Sequence, residues 1–577
     1  MCRKLPASSS IGKSRRKTSE LTTLTHRKTF RAGSAPILLQ WAPREIAPDN
    51  GEPPADRRDE LCRVINPEPI AEVMLSQTFH YSVASVVSAA IGLLSAVVFT
   101  RLLSPDEYGV YVVGLSTAGI VSALLFTWVR VAALRFQSEG GTVDVRKTIF
   151  LAYLISALAA PIALLVATLT TSVSLERNVA AIFFALGLGL FELGQELLKA
   201  RLQSLAFMTA SIIRACLAFT LCLAAALLGG GGLCQLAMVA ITYFVTTTLF
   251  ANTILRSPVA GPKLSDLRTF AAFGIPITLS GIIFATHAAL DRMLVFHFIG
   301  DHAAGQYGAS ADLVRQIILI PAVSIASATI PLAVRAYANG AAREARPHLE
   351  FSLEILLAAV LPAVVGVALT SSYIAGVILG SEFRETAAQI MPILAFAWLF
   401  QSFSQSYIHA SFHLAKTPFM MTMQSIAMLI ANLLVMPVLL ARFGLIGAAS
   451  SLVIVEAFGA GFGWYLTRKA FPLPFNAFQV MRIVSAAAIM ALVLTFLKPL
   501  LPIGVISFGV LAATGCLVYV VAAFAFDIAG LRKAVIAYGA HRKLWPASKS
   551  TREAHALPAP SITAPATGLS SMSIRKP

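Results

Sequence analysis

The sequence predicts an all-α protein that crosses a membrane about fourteen times, and three observations carry that prediction. Of its 577 residues 57% are hydrophobic and only 13% charged, with a mean hydropathy of +0.76, whereas soluble domains carry about 25% charged residues. From Ser76 onward the chain is a regular series of apolar segments, each near the ~20 residues that a spanning helix requires. The polar joints between the segments are short, and their basic charge alternates.

Taken in order, residues 1–73 are rich in Pro, Ser and charge, including PADRRDE and INPEP, and show no apolar period. They read as a disordered basic extension, and Met74, just ahead of the first apolar segment, is an alternative start. Ser14-Arg15-Arg16-Lys17 has the look of a twin-Arg export signal, but no apolar run follows it. The apolar segments then run 76–103, 108–134, 148–171, 179–198, 206–228, 233–255, 269–299, 306–334, 350–373, 386–409, 419–441, 446–467, 483–497 and 503–526. The thirteenth is the shortest. Residues 531–577 read as a disordered basic tail.

Joints after even-numbered segments hold fifteen Lys/Arg and those after odd-numbered segments five. Basic joints stay on the cytoplasmic side, so both termini are expected inside. The ends agree: residues 1–31 hold nine Lys/Arg against one acid, and residues 531–577 eight against one. Beside a membrane such tails fit anionic headgroups better than nucleic acid.

Several function classes are excluded. No DxD, HExxH, GxxxxGK[ST] or GxSxG occurs in a fitting context, and Gly229–Gly232 joins two helices rather than opening a phosphate loop. The outward joints are too short for a catalytic domain. The six cysteines form no CxxC and adjoin no His cluster, so neither a disulfide framework nor a metal site is expected. The chain is expected not to be an enzyme and to hold no cofactor.

Residues 99–111 read FTRLLSPDEYGVY, and 196 positions later residues 295–307 read VFHFIGDHAAGQY. The apolar run, the small residue (Ser104, Gly300) and the Gly-x-Tyr pair coincide. The repeat equates segments one and two with seven and eight. It gives a first lobe over 74–255, a second over 256–467 and an appended helix pair over 468–530, with a site between the lobes.

LLSPDEYGVY, FGIPITLSGI, DRMLVFHFIGDHAAGQYGASADL, ARFGLIGAASSLVIVE, WVRVAALRF and ELLKARLQSLAF resemble the polysaccharide transporter (Wzx-type) flippases of the multidrug/oligosaccharidyl-lipid/polysaccharide exporter superfamily. The resemblance covers about Leu75–Phe526. It implies alternating access and export of an undecaprenyl-pyrophosphate-linked oligosaccharide for exopolysaccharide, capsule or O-antigen. It also implies coupling to an ion gradient, proton or sodium, with membrane lipid and other polysaccharide-assembly proteins as partners and no nucleic acid. Three readings compete with it: a drug:cation antiporter of the same superfamily, a lipid II flippase, and a membrane-embedded polymerase or ligase.

Charges inside apolar helices are costly and mark pathways or clamps, so the candidate residues are those. Counted from a turn near residue 302, Asp291 and Arg315 lie at similar depth, as do Arg292 and Asp312. The two expected pairs are a static clamp, or a gate with a proton-linked carboxylate. Glu456 sits mid-segment, either as a protonated carboxyl bonded to a neighbouring helix or as a cavity or coupling residue. Arg130 and Arg214 either snorkel or line a cationic cavity. Glu192, Gln195, Glu196 and Lys199 mark a solvated face. Gln401, Gln405 and His409 form one helical stripe, with His413 a step beyond, that either joins helices or binds sugar hydroxyls.

Overall fold

A computed structural model describes residues 67–138, 145–170, 173–255, 263–340 and 342–532; the readings of 1–66 and 533–577 as disordered lie outside them. By contact the chain divides into Met1–Ile70, described only from Pro67, and Ala71–Pro577, which holds the helical bundle. No strand occurs among the described residues. In chain order α1 spans Pro67–Leu102, α2 Pro105–Ser138, and α3 the two pieces Arg146–Ala157 and Ala160–Thr170. Then come α4 Leu175–Ala200, α5 Ser204–Leu227, α6 Gly232–Leu255, α7 Leu264–Phe298, α8 Asp301–Gly340 and α9 Ala342–Ile378. α10 runs from Ser381 to Leu414 through a π-turn at Ser404–Ile408. The 50-residue helix Pro418–Thr467 bends at Gly444 (φ 57°, ψ −138°) into α11 (418–443) and α12 (445–467). α13 is Ala477–Leu497 and α14 Val505–Ala525.

Thirteen of the described helices are long and apolar enough to cross a membrane. The bend at Gly444 makes one of them two spans, which gives fourteen. This is an all-α multi-pass membrane protein. One boundary moves: Pro67–Val73, read from sequence as part of the extension, is already helix. Proline suits a first helical turn, where its missing N–H is not needed. The break in α3 falls at Leu158–Ala159, just ahead of Pro161, whose ring removes a helical hydrogen bond.

α2, α4, α8 and α10 all begin at the end of the bundle where α1 turns into α2, here called the turn end. Each carries acid in its first turn: Asp106 and Glu107, Glu176, Asp301, and Glu382. A carboxylate there meets the positive end of the helix dipole. In the first six helices α2 packs on α4 and α4 on α6; in the next six α8 packs on α10 and α10 on α11 and α12. α13 and α14 lean on α9, where Tyr373 donates to the carbonyls of Lys498 and Leu501 (2.8 and 2.7 Å).

The 196-residue repeat is visible in the backbone. α1 and α7 end at Leu102 and Phe298, and α2 and α8 begin at Pro105 and Asp301, each pair 196 apart. The two hairpins also meet reciprocally, as two-fold-related surfaces must. A Cβ on Gly109 would lie 2.0 Å from the Asp301 carbonyl, and one on Gly305 1.9 Å from that of Pro105. His302 Nδ1 is 3.0 Å from Asp106 Oδ2, and a Cβ on Gly308 would touch Val112; both are self-equivalent pairs. A pseudo-two-fold axis therefore passes through the crossing of α2 and α8 at the turn end.

Candidate functional site

Small residues let α2 and α8 touch backbone to backbone, and polar contacts lock the halves around that crossing. Arg177 of α4 donates to both Asp301 carboxylate oxygens (3.0 and 2.8 Å). Arg101 donates to the Val377 carbonyl (2.6 Å) and the Gly380 amide to Thr100 Oγ1 (3.2 Å). Tyr108 meets Phe383 edge-on at 5.7 Å. The turn end is closed.

Toward the opposite end the halves behave differently on their two sides. α7 stays against α2: a Cβ on Gly274 would lie 2.4 Å from the Trp128 carbonyl. Phe136 stacks on Phe270 at 4.9 Å, and Arg135 lies 4.4 Å over Phe273. The pseudo-equivalent side, α1 against α8, opens instead. Below the contact of Gly92 with Gln316, α1 turns to α5, where His80 meets Ser204 (3.0 Å) and Tyr81 meets Phe207 (5.0 Å). The wedge is a cavity of about 770 Å³ whose lining includes Tyr81, Ser85, Asp312, Arg315, Gln316 and Ser324. A second cavity, about 980 Å³, lies between α2, α7, α8, α10 and α11. The two meet along α8 at Val323 and Ser327.

Of the two expected hairpin pairs one forms. Arg292 donates to Asp312, but Asp291 does not reach Arg315. The chain turns at Ile299–Gly300 (Gly300 φ 117°), not near 302. Arg315 is therefore about seven residues farther from the turn than Asp291, roughly 10 Å at 1.5 Å per residue. Asp291, 6% exposed, accepts instead from Tyr307 (3.1 Å), and its other oxygen has no partner. Arg315 is exposed to the wedge, 5.8 Å from the Trp398 ring, and forms no ion pair among the described residues; Asp312, one turn before it in the same wedge, is held by Arg292.

Glu456, 1% exposed, is held by His287 (3.3 Å) and Gln401 (3.2 Å), with its second oxygen unpartnered. His287 Nδ1 is also unpartnered, as are both amide atoms of the buried Asn432. α11 and α12 are antiparallel, with Gln424 against Gly463 and Met428 against Gly459; that register puts Asn432 level with Val455–Glu456.

The stripe Gln401–Gln405–His409 is not one face. The π-turn adds a residue to one turn and rotates the rest of the helix by about 100°. Gln401 points to Glu456, while Gln405, His409 and His413 line the second cavity. Arg130 is paired with Glu192 (2.5 Å) and Lys199 with Glu196 (2.7 Å). Arg214 lies over Tyr243 (5.4 Å) and Phe191 (5.8 Å). None of these lines either cavity. Sequence reading missed His287, Asn432 and Gln424, because a single polar residue in an apolar run carries no local sign of its partners. Arg177 and His302 carried a sign, the first as a basic residue in a joint and the second as a polar residue inside the repeat.

Cavities between α1, α2, α7, α8, α10 and α11, beside a crossing that closes the turn end, in a bundle of long apolar helices define a membrane transporter fold. The fold matches that of a solved "Lipid II flippase MurJ, inward closed conformation" (TM-score 0.64, 14% identity, 78% of this chain and 98% of that one). It also matches an inward-facing multidrug resistance MATE family transporter of the MOP superfamily (0.50, 16% identity, 68% and 94%). The family model described as polysaccharide biosynthesis protein matches residues 98–388, just over half the chain, and the chain belongs to that family. No curated protein sequence matches it.

Proposed function

We propose that the chain is an inner-membrane flippase that carries a lipid-linked oligosaccharide, on an undecaprenyl-pyrophosphate carrier, to the outer leaflet for surface polysaccharide assembly. The one-sided wedge supports this reading most directly. A cavity between α1 and α8 lined by Arg315, by hydroxyl side chains and by Asp312, whose charge Arg292 offsets, suits a cargo with a polar anionic head and a tail that stays in lipid. Arg315 offers a planar fork of donors to a phosphate, and it would repel a cationic drug. The joints at the closed turn end are the Lys/Arg-poor ones. By the positive-inside rule that end faces outward and the cavities face the cytoplasm, with both termini inside. The MurJ likeness and the polysaccharide biosynthesis family support the same class of cargo.

A deletion strain tests the proposal. The expected result is loss of one surface polysaccharide with its lipid-linked unit trapped on the cytoplasmic leaflet. An unchanged glycan profile with drug sensitivity would sink the proposal in favour of an antiporter. Units accumulating on the outer leaflet would favour a polymerase or ligase.

We infer further that transport is coupled to a proton or sodium gradient through Glu456. A carboxylate this deep, with His287 and Gln401 as its hydrogen-bond partners among the described residues, is costly to bury unless its charge is compensated. The orphaned amide of Asn432 at the same level supplies a second oxygen. Glu456→Gln is expected to insert and melt like the parent while gradient-driven accumulation in proteoliposomes disappears. A variant still driven by an imposed pH or sodium gradient would remove Glu456 from the coupling role.

A further inference from the structure

The π-turn in α10 sits between two sets of polar side chains that face different places. Before it, Gln401 donates to Glu456 in the interior (3.2 Å). After it, Gln405, His409 and His413 line the cavity between α2, α7, α8, α10 and α11. A π-turn is less stable than an α-turn and persists where something holds it. Here the holder is one side chain of α11.

Gln424 is 1% exposed, and its amide is used on both sides. Nε2 donates to Ser404 Oγ (2.7 Å), the first residue of the wide turn, and to the Gly459 carbonyl of α12 (2.9 Å). Oε1 is 3.2 Å from His409 Nε2, just past the wide turn. The Gly459 carbonyl can only accept, which fixes the amide's orientation and makes His409 Nε2 the donor to Oε1. The space comes from α12: a Cβ on Gly463 would lie 2.6 Å from Gln424 Nε2, the small-residue spacing that lets membrane helices approach. On the other side of the turn Tyr407 donates to the Pro474 carbonyl. Ser411 donates to the Phe471 carbonyl (2.6 Å) and accepts from its amide (3.1 Å). Thus α11 and the segment after α12 grip the turn from both sides.

We propose that Gln424 is a positioning residue that holds α10 in its π-turn, and that this turn links the buried Glu456 to the cavity wall. Rewinding the turn to α-geometry rotates Gln405, His409 and His413 by about 100° relative to Gln401. Gln401 then cannot stay on Glu456 while the other three stay on the cavity. A change of state at Glu456 that frees Gln401 would reach the cargo surface through this rotation. The inference rests on the coupling role proposed for Glu456.

The experiment is labelling of single cysteines by a maleimide, in inside-out membrane vesicles that expose the cavity end. In the parent, Gln405→Cys is expected to react and Gln401→Cys to be protected. Adding Gln424→Met, which keeps length and removes all three bonds, is expected to lower the 405-to-401 labelling ratio by about tenfold, a shift in population between two backbone states. Ser404→Ala removes one bond at little volume and is expected to move the ratio the same way by less, which covers a Met variant that does not fold. An unchanged ratio in both variants overturns the proposal. So does a Gln424→Met/Glu456→Gln double variant whose shift in the logarithm of the labelling ratio is the sum of the two singles, because residues on one linkage do not add. Labelling needs neither cargo nor gradient, so it tests the clamp separately from the flippase reading.

Discussion

Replacing Arg292 by leucine is expected to cost roughly 3–5 kcal/mol of stability, the penalty for stranding a buried charge. The guanidinium serves two acids. It donates to Asp312, and its charge offsets Asp291 beside it, a side chain with one oxygen already unpartnered. Asp312 keeps some water from the wedge, but Asp291 has only the Tyr307 hydroxyl. Arg292→Leu is therefore expected to leave little folded protein in detergent. Arg292→Leu/Asp312→Leu is expected to recover only part of it, because an apolar pair replaces the ion pair at little net cost while Asp291 still lacks its compensating charge. Thermal melting of the purified variants is the measurement. A single variant that melts with the parent would mean the pair is not what joins α7 to α8.

The second large effect concerns the closed turn end. Gly305→Leu is expected to open it, because even a Cβ there would lie 1.9 Å from the Pro105 carbonyl. That contact is backbone to backbone, so no side chain can rotate away. Overpacking of this kind costs about 1–3 kcal/mol in the state that suffers it. Such a cost shifts a two-state equilibrium by roughly 5–150-fold. Spin labels at Glu176 and Glu385, exposed on opposite halves at that end, are expected to move apart, and transport to fall with them. Gly366→Ala, where an added Cβ meets nothing within 4 Å, is the matched control. An unchanged label distance in Gly305→Leu would show that the crossing of α2 and α8 is not the seal.

Closure at this crossing and the wedge between α1 and α8 are two results of one symmetry and its breaking. The repeat makes the hairpins alike enough to meet reciprocally at Gly109 and Gly305. Their lower halves differ, with Ser95 and Ala96 in α1 where α7 has Asp291 and Arg292. α7 is thereby tied to α8 by an ion pair and a tyrosine. Ser95 only returns its hydroxyl to the Ile91 carbonyl of its own helix (2.8 Å). The charged tie between α7 and α8 therefore has no counterpart between α1 and α2.

The sequence alone determined every feature that local pattern dictates. Apolar run length marked the fourteen spans, since a helix that meets lipid must satisfy its backbone internally and cover it with apolar side chains. The 196-residue offset paired the hairpins, with a Gly-x-Tyr in each copy; that these glycines form the close crossing emerged only in the fold. Partnerships were decided only by the tertiary structure. A turn at Gly300 rather than 302 separated Asp291 from Arg315, and one extra residue in a turn of α10 sent Gln401 and Gln405 to different places. His287, Asn432 and Gln424 each look like an isolated polar residue until α7, α10, α11 and α12 are packed. Depth along one helix can be counted from its ends; which neighbour a side chain meets depends on rotation and register between helices, and those are set by packing across the bundle.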